Sequence, residues 1–359
     1  MKSPYQGLPR RNFWRTGVAD EAPETIQNLY RHKFKIGRKD KVATAGSCFA
    51  QHIARNLRGR GFNVLDMEPG PPGLSDEQLK KYGFSLYSAR FGNIYAVRQL
   101  LRLAQEAFGE FKPRKWIWER NGRFFDALRP SVEPEGLSTP EQVRLSRMMH
   151  LSHVRRMFEE MDVFVFTLGL TEAWENEESG TVYPTALGTI AGSYDPQFMS
   201  FKNYTHSQIL EDFLAFRALI HKHNADVRFL LTVSPVPLTA TATTDHVLTA
   251  TTYSKSALRG VAGELYQTYD DIDYFPSYEI IASPFSKGKF FAPNLRSVTE
   301  EGVQTVMRVF FDDHDPDGQQ KTKQSGGKPT GTASETRVKK EDQEGKEICE
   351  DALLEAFSS

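Results

Sequence analysis

Ser47 stands where a short apolar run, Val42–Ala45, gives way to a stretch with Ile53 and Leu57 four residues apart. That change of period reads as strand, tight turn and amphipathic helix, which places the serine in the turn at the helix start. A serine there has two uses. Its hydroxyl can cap the helix by accepting a first-turn amide. Alternatively it can attack a carbonyl, because helix amides and the helix dipole favour negative charge developing beside them. The second use needs a base, since a serine hydroxyl is a weak nucleophile until its proton is removed. His246, beside Asp245 and just past the strand end at Ser234–Leu238, is the preferred base. His206, before a helical pattern, is the second choice. His52, five residues past Ser47, is expected to point to solvent, and His150 and His153 are expected on a helix surface. The i, i+3 spacing of that last pair suits a metal, but no third ligand accompanies them. Cys48 reads as a small buried core residue rather than a nucleophile.

The elements that position these residues are short. Strand candidates are Val42–Ala45, Asn63–Leu65, Val163–Leu168, Arg228–Val233 and Ile272–Phe275. Between them, helical patterns start at Phe49 and cover Asn93–Phe108, Pro140–Met161, Ser207–His223, Ser254–Tyr269 and Thr299–Phe311. The alternation predicts an α/β fold, a three-layer α/β/α sandwich around a parallel sheet. In such sheets ligands gather at the carboxyl ends of the strands, here Gly46-Ser47, Gly169–Glu172 and Ser234–Leu238. Trp116 and Trp118, the Asn121-Gly122 pair and Phe124-Phe125 predict a hairpin inserted over one end of the sheet.

Gly46-Ser47-Cys48-Phe49-Ala50 resembles the signature of the GSCFA-domain family, a bacterial relative of the SGNH (GDSL-type) hydrolases. Four further blocks resemble that family in order. They are Ser88–Tyr95 with Arg98–Leu101, Phe166–Trp174, Ser234–Leu238 with Tyr253–Ser256, and Tyr274–Glu279. The resemblance spans roughly residues 36 to 311 and implies an SGNH/flavodoxin-like fold with Ser47 as nucleophile. It also implies an oxyanion hole built from the Ser47 amide, the Gly92 amide and the Thr171 hydroxyl, with Thr171 standing where the family pattern of SGNH enzymes has asparagine. Glu172 is expected to hold its loop or touch substrate. Arg296 and Lys255 are expected to bind an anionic group or to hold loop carboxylates or carbonyls. The chain departs from the SGNH pattern at Phe291–Thr299, which lacks the usual Asp-x-x-His. A base from Glu172 or Glu279 stays open beside the histidines.

Composition limits the function classes. The chain has 359 residues, 39% hydrophobic and 25% charged, with a net charge of −1. Such a balance gives no reason to expect nucleic acid as a partner. No run approaches the roughly 20 apolar residues of a membrane span, and no signal-peptide pattern opens the chain, so a cytoplasmic location is expected. The only two cysteines, Cys48 and Cys349, are not expected to pair, and no metal or other cofactor is expected. Residues 1–36 read as an irregular arm, 37–311 as the α/β domain and 312–359 as a disordered tail, because the tail has almost no large apolar residue to offset its ordering entropy. The expected function is ester hydrolysis or O-acyl transfer on an acylated small molecule or glycan. The alternative is a non-catalytic binding module on a degenerate SGNH scaffold.

Overall fold

A computed structural model describes residues 3–316 and 350–357. Of the expected disordered tail, residues 317–349 and 358–359 lie outside the described residues, while 312–314 are helical. The chain forms two compact units, residues 38–274 with 350–357, and residues 3–37 with 275–316.

The larger unit is built on a four-stranded parallel sheet. Its strands are β1 (Val42–Gly46), β4 (Val163–Leu168), β8 (Arg228–Val233) and β9 (Ile272–Tyr274), side by side in that order. They are short, mostly apolar runs, buried along nearly their whole length, as strands covered on both faces must be. Asn63–Leu65 contributes less than a strand: Val64 makes a single parallel bridge to Val42 on the outer side of β1. With that bridge counted, the chain enters the sheet in the order 2-1-3-4-5, the flavodoxin-like order.

By the right-handed rule for such crossovers, the strand order puts α1 (Ala50–Gly59) on one face and α5 (His206–His223) and α6 (Val247–Thr268) on the other, giving three layers. The α5 face is aromatic. Phe164 and Phe229 point to it, and Phe213 and Phe216 of α5 meet them at ring centroid distances of 5.6–6.1 Å. Also in this unit are α2 (Asp76–Lys81), α3 (Val97–Ala107) and α4 (Pro140–Glu160). α6 starts seven residues before the predicted Ser254. Its first turns hold Thr249, Thr251 and Thr252, β-branched residues of poor helix propensity, which hid them from a periodicity reading.

The hairpin is present as β2 (Ile117–Arg120) and β3 (Arg123–Asp126), with Asn121 and Gly122 both at positive φ as a two-residue type I′ turn requires. It does not cap the parallel sheet as expected. Trp118 and Phe125 pack with Tyr183, Ile190, Ala191 and Met199 in a separate cluster. That cluster belongs to a second, antiparallel sheet absent from the sequence reading: β5 (Glu172–Asn176) flanked by β6 (Thr181–Tyr183) and β7 (Ser200–Asn203).

The smaller unit holds α7 (Ser277–Ala282) and α8 (Glu300–His314). α8 runs three residues beyond the predicted end at Phe311 because His314 is itself core. Its Nδ1 accepts from the Ile36 amide at 3.2 Å, and its Nε2 lies 3.1 Å from the Tyr30 hydroxyl. Among the described residues no helix is long and apolar enough to cross a membrane.

Candidate active site

The turn after β1 is set by close packing against β4. Gly46 has φ +138°, and a Cβ there would lie 2.5 Å from the Thr167 carbonyl oxygen, so only glycine fits. One residue later, the Ser47 amide donates to that carbonyl at 3.3 Å. On the β4 side, a Cβ on Gly169 would meet the Ser47 Cβ at 2.9 Å and the Tyr95 carbonyl at 3.0 Å. The two motif glycines, each in a different sequence block, thus set the close approach of the Ser47 turn to β4, Gly46 against Thr167 and Gly169 against Ser47 itself. This is also the point where the strand order reverses, between the first and third strands in chain order, where open α/β sheets bind ligands.

Ser47 is 3% exposed, and its hydroxyl has no hydrogen-bond partner among the described residues. The capping use is therefore not taken: the N-cap of α1 has no side-chain hydrogen bond. Buried polar groups are nearly always paired, so an orphaned buried hydroxyl calls for a reason, catalysis among them.

The Gly92 segment runs alongside. The Ile94 amide donates to the Gly46 carbonyl at 2.9 Å, and the Tyr87 hydroxyl donates to the Ser47 carbonyl at 3.2 Å and to Asn93 Oδ1. Gln51 Nε2 donates to the same tyrosine oxygen at 3.1 Å. Tyr87 and Gln51 were missed by the sequence reading, although Gln51 sits one helical turn past Ser47 on the inner side of α1. The Gly92 amide has no hydrogen-bond partner among the described residues, so it can donate to an incoming oxygen.

The other members of the expected oxyanion hole are engaged. The Ser47 amide is turned to Thr167. Thr171 is fully buried, its amide donates to Ser254 Oγ at 3.1 Å, and its hydroxyl donates to Asn203 Oδ1 at 2.6 Å. Glu172 Oε1 accepts from the Thr241 hydroxyl at 2.7 Å, which ties the strand end of β4 to the loop after β8. Burial raises the Glu172 carboxyl above the ordinary range, partly countered by Thr241. Lys255, 1% exposed, donates to the Gly169 carbonyl at 2.7 Å and so braces the glycine that abuts Ser47. Arg296 belongs to the smaller unit, in a turn where Asn294 Oδ1 accepts its amide at 3.0 Å.

The histidines fall elsewhere. His246 is exposed and caps α6, its Nδ1 accepting from the Leu248 amide at 3.1 Å. His206 opens α5 with Nε2 3.5 Å from Glu264. Neither hydrogen-bonds to Ser47. His52 is buried rather than solvent-facing, because it packs beside Phe49 on a short helix buried along most of its length, with Arg55 on its Nδ1. His150 is also not on the surface. It is 1% exposed and donates to Glu68 at 2.6 Å. Burial, then the Arg129 charge, hold it neutral at about 4. Cys48 is buried as expected, but it is disulfide-bonded rather than a free thiol. Cys349 lies outside the described residues. No group of three or more His, Cys, Asp or Glu among the described residues could hold a metal ion.

A three-layer α/β/α protein with an unpaired serine hydroxyl at the switch point of its parallel sheet is the class that fold and site define. The chain belongs to the GSCFA family, which it matches over residues 41–310. No curated protein matches it.

Proposed function

We propose that the chain is a serine-dependent acyl-transfer enzyme of the SGNH type, an ester hydrolase or O-acyltransferase with Ser47 as nucleophile. One observation carries this reading: the Ser47 hydroxyl is buried at the carboxyl end of β1 and bonded to nothing among the described residues. In the proposed reaction Ser47 Oγ attacks the ester carbonyl, its proton passes to a base, and the Gly92 amide receives the developing oxyanion. The alcohol leaves, and water or a second hydroxyl then attacks the acyl-serine. A binding module on the same scaffold is the second reading, favoured by the absence of a histidine hydrogen bond to Ser47.

The test compares wild type with Ser47→Ala on short-chain nitrophenyl esters and a fluorophosphonate probe. Labelling and turnover by wild type are expected, with the alanine variant falling at least ~10³-fold while its circular dichroism is unchanged. Wild type inert to both reagents would reject the nucleophile and leave the binding module.

A further inference from the structure

A cavity of about 210 Å³ opens one residue beyond the glycine that abuts Ser47. Leu170, directly after Gly169, forms one wall. Trp174 and Phe201 of the antiparallel sheet, Pro184, and Leu238 from the loop after β8 form the others. We infer that this cavity receives the alkyl chain of the acyl group, which makes the substrate an ester of a medium-chain carboxylic acid. The inference rests on the reading of Ser47 as nucleophile and names the substrate of that same site.

Position, chemistry and size support it. The cavity lies at the carboxyl ends of β4 and β8, and the walls contributed by Leu170 and Glu172 come from the same four residues, Gly169–Glu172, whose first member touches Ser47. The cavity wall therefore begins one residue beyond the glycine that packs on Ser47. The lining contains no lysine, arginine or histidine, so nothing there would neutralise a phosphate or carboxylate. Its single charged residue, Glu172, is hydrogen-bonded to Thr241 and held towards its neutral form by burial. A polyhydroxylated ring would need several donors and acceptors, whereas the walls are mostly hydrocarbon, the usual composition of a pocket for an apolar ligand. A space of about 210 Å³ suits a chain of several carbons rather than an acetyl group. Leu354 of the C-terminal segment Glu350–Phe357 completes the wall, so the chain's own terminus is the competing occupant.

Trp174 lies in the wall and reports occupancy without any turnover. Full-length wild type and Ser47→Ala are titrated with methyl 8-bromooctanoate, whose bromine quenches indole fluorescence on contact, with methyl bromoacetate and Trp174→Phe as controls. Saturable quenching is expected in both proteins, removed by Trp174→Phe and weakened at least tenfold in Ala186→Leu, which fills the cavity. In Ala186→Leu the ratio of octanoate to acetate turnover should fall at least tenfold. Quenching no stronger than with methyl bromoacetate, or unchanged in Ala186→Leu, overturns the cavity assignment. So does quenching seen only in Leu354→Ala, which would give the cavity to the C-terminal segment. Saturable quenching in a protein that hydrolyses no ester leaves the cavity as a chain-binding site and rejects Ser47 instead, so the two failures are told apart.

Discussion

The two faces of the parallel sheet differ in how much polarity they bury. Strand register puts Ala43, Ala45, Phe164, Phe166, Leu168, Phe229, Leu231, Val233, Ile272 and Tyr274 on the α5 side, aliphatic or aromatic throughout. The α1 side carries Val42, Val163, Val165 and Leu230, but also Thr44, Gly46, Thr167, Thr232 and Asp273, all buried, and among the described residues the hydroxyls of Thr44 and Thr167 have no hydrogen-bond partner. Both faces are equally dry, so burial alone does not explain the difference. An apolar residue would fill the threonine positions at lower cost, because an unpaired buried hydroxyl costs about 1–3 kcal/mol. The α5 face is composed for packing. The α1 face gives up packing energy along a line that ends at Gly46 and Thr167, against which Ser47 is seated. Polar groups kept at a cost mark the side of the sheet where chemistry is proposed.

That contrast can be broken by substitution. The largest effect on stability should come from the aromatic face: Phe216→Ala removes a fully buried ring and is expected to cost about 3–5 kcal/mol in urea unfolding. A cost under ~1 kcal/mol would mean that the face is not the packing centre. Acid should act next, through His150 on α4. His150 sits at about 4 in the folded chain, below its ordinary 6.5, so the unfolded chain binds the extra proton first as pH falls. Its contribution is complete above pH 6.5 and is lost between 6.5 and 4, by about 3 kcal/mol. His314 is held at about 4 by burial and by His32, and adds in the same direction. His150→Gln should flatten the melting temperature profile over that window; an unaltered profile would place the acid sensitivity elsewhere.

Smaller effects sharpen the comparison near Ser47. Gly169→Ala forces a methyl within 2.9 Å of the Ser47 Cβ, with an expected cost of about 1–3 kcal/mol. Its ester turnover should fall at least tenfold in protein that remains folded, and parallel losses of activity and folded fraction would count against a positional role. Smallest of all, Thr167→Val replaces an unpaired buried hydroxyl by a methyl and should raise stability by about 1 kcal/mol. Destabilisation there would show that the hydroxyl has a partner after all.

Much of this molecule was legible in one dimension. β4 and β8 fall on the predicted residues, and α4 and α5 within one residue of them, because uninterrupted apolar runs and 3.6-residue periods are local signals. β5 to β7 were not legible. Their residues alternate charge with aromatics over only three to five positions, and β5 pairs with β7 across more than twenty residues of sequence. The histidines divide in the same way. That His246 sits at a helix start is readable from its neighbours, but whether an imidazole reaches Ser47 depends on the three-dimensional path of the loop after β8.

By itself, then, the sequence determined the strand–turn–helix around Ser47, the parallel sheet and the family, since each follows from neighbouring residues or from ordered motif blocks. Only the tertiary structure decided that Gly46 packs on Thr167 and Gly169 on Ser47, that the serine hydroxyl is unpaired among the described residues, that Thr171 is engaged by Ser254 and Asn203, and that an apolar cavity opens one residue beyond Gly169. Those are distances between residues tens to more than a hundred positions apart, and no local propensity encodes a distance of that kind.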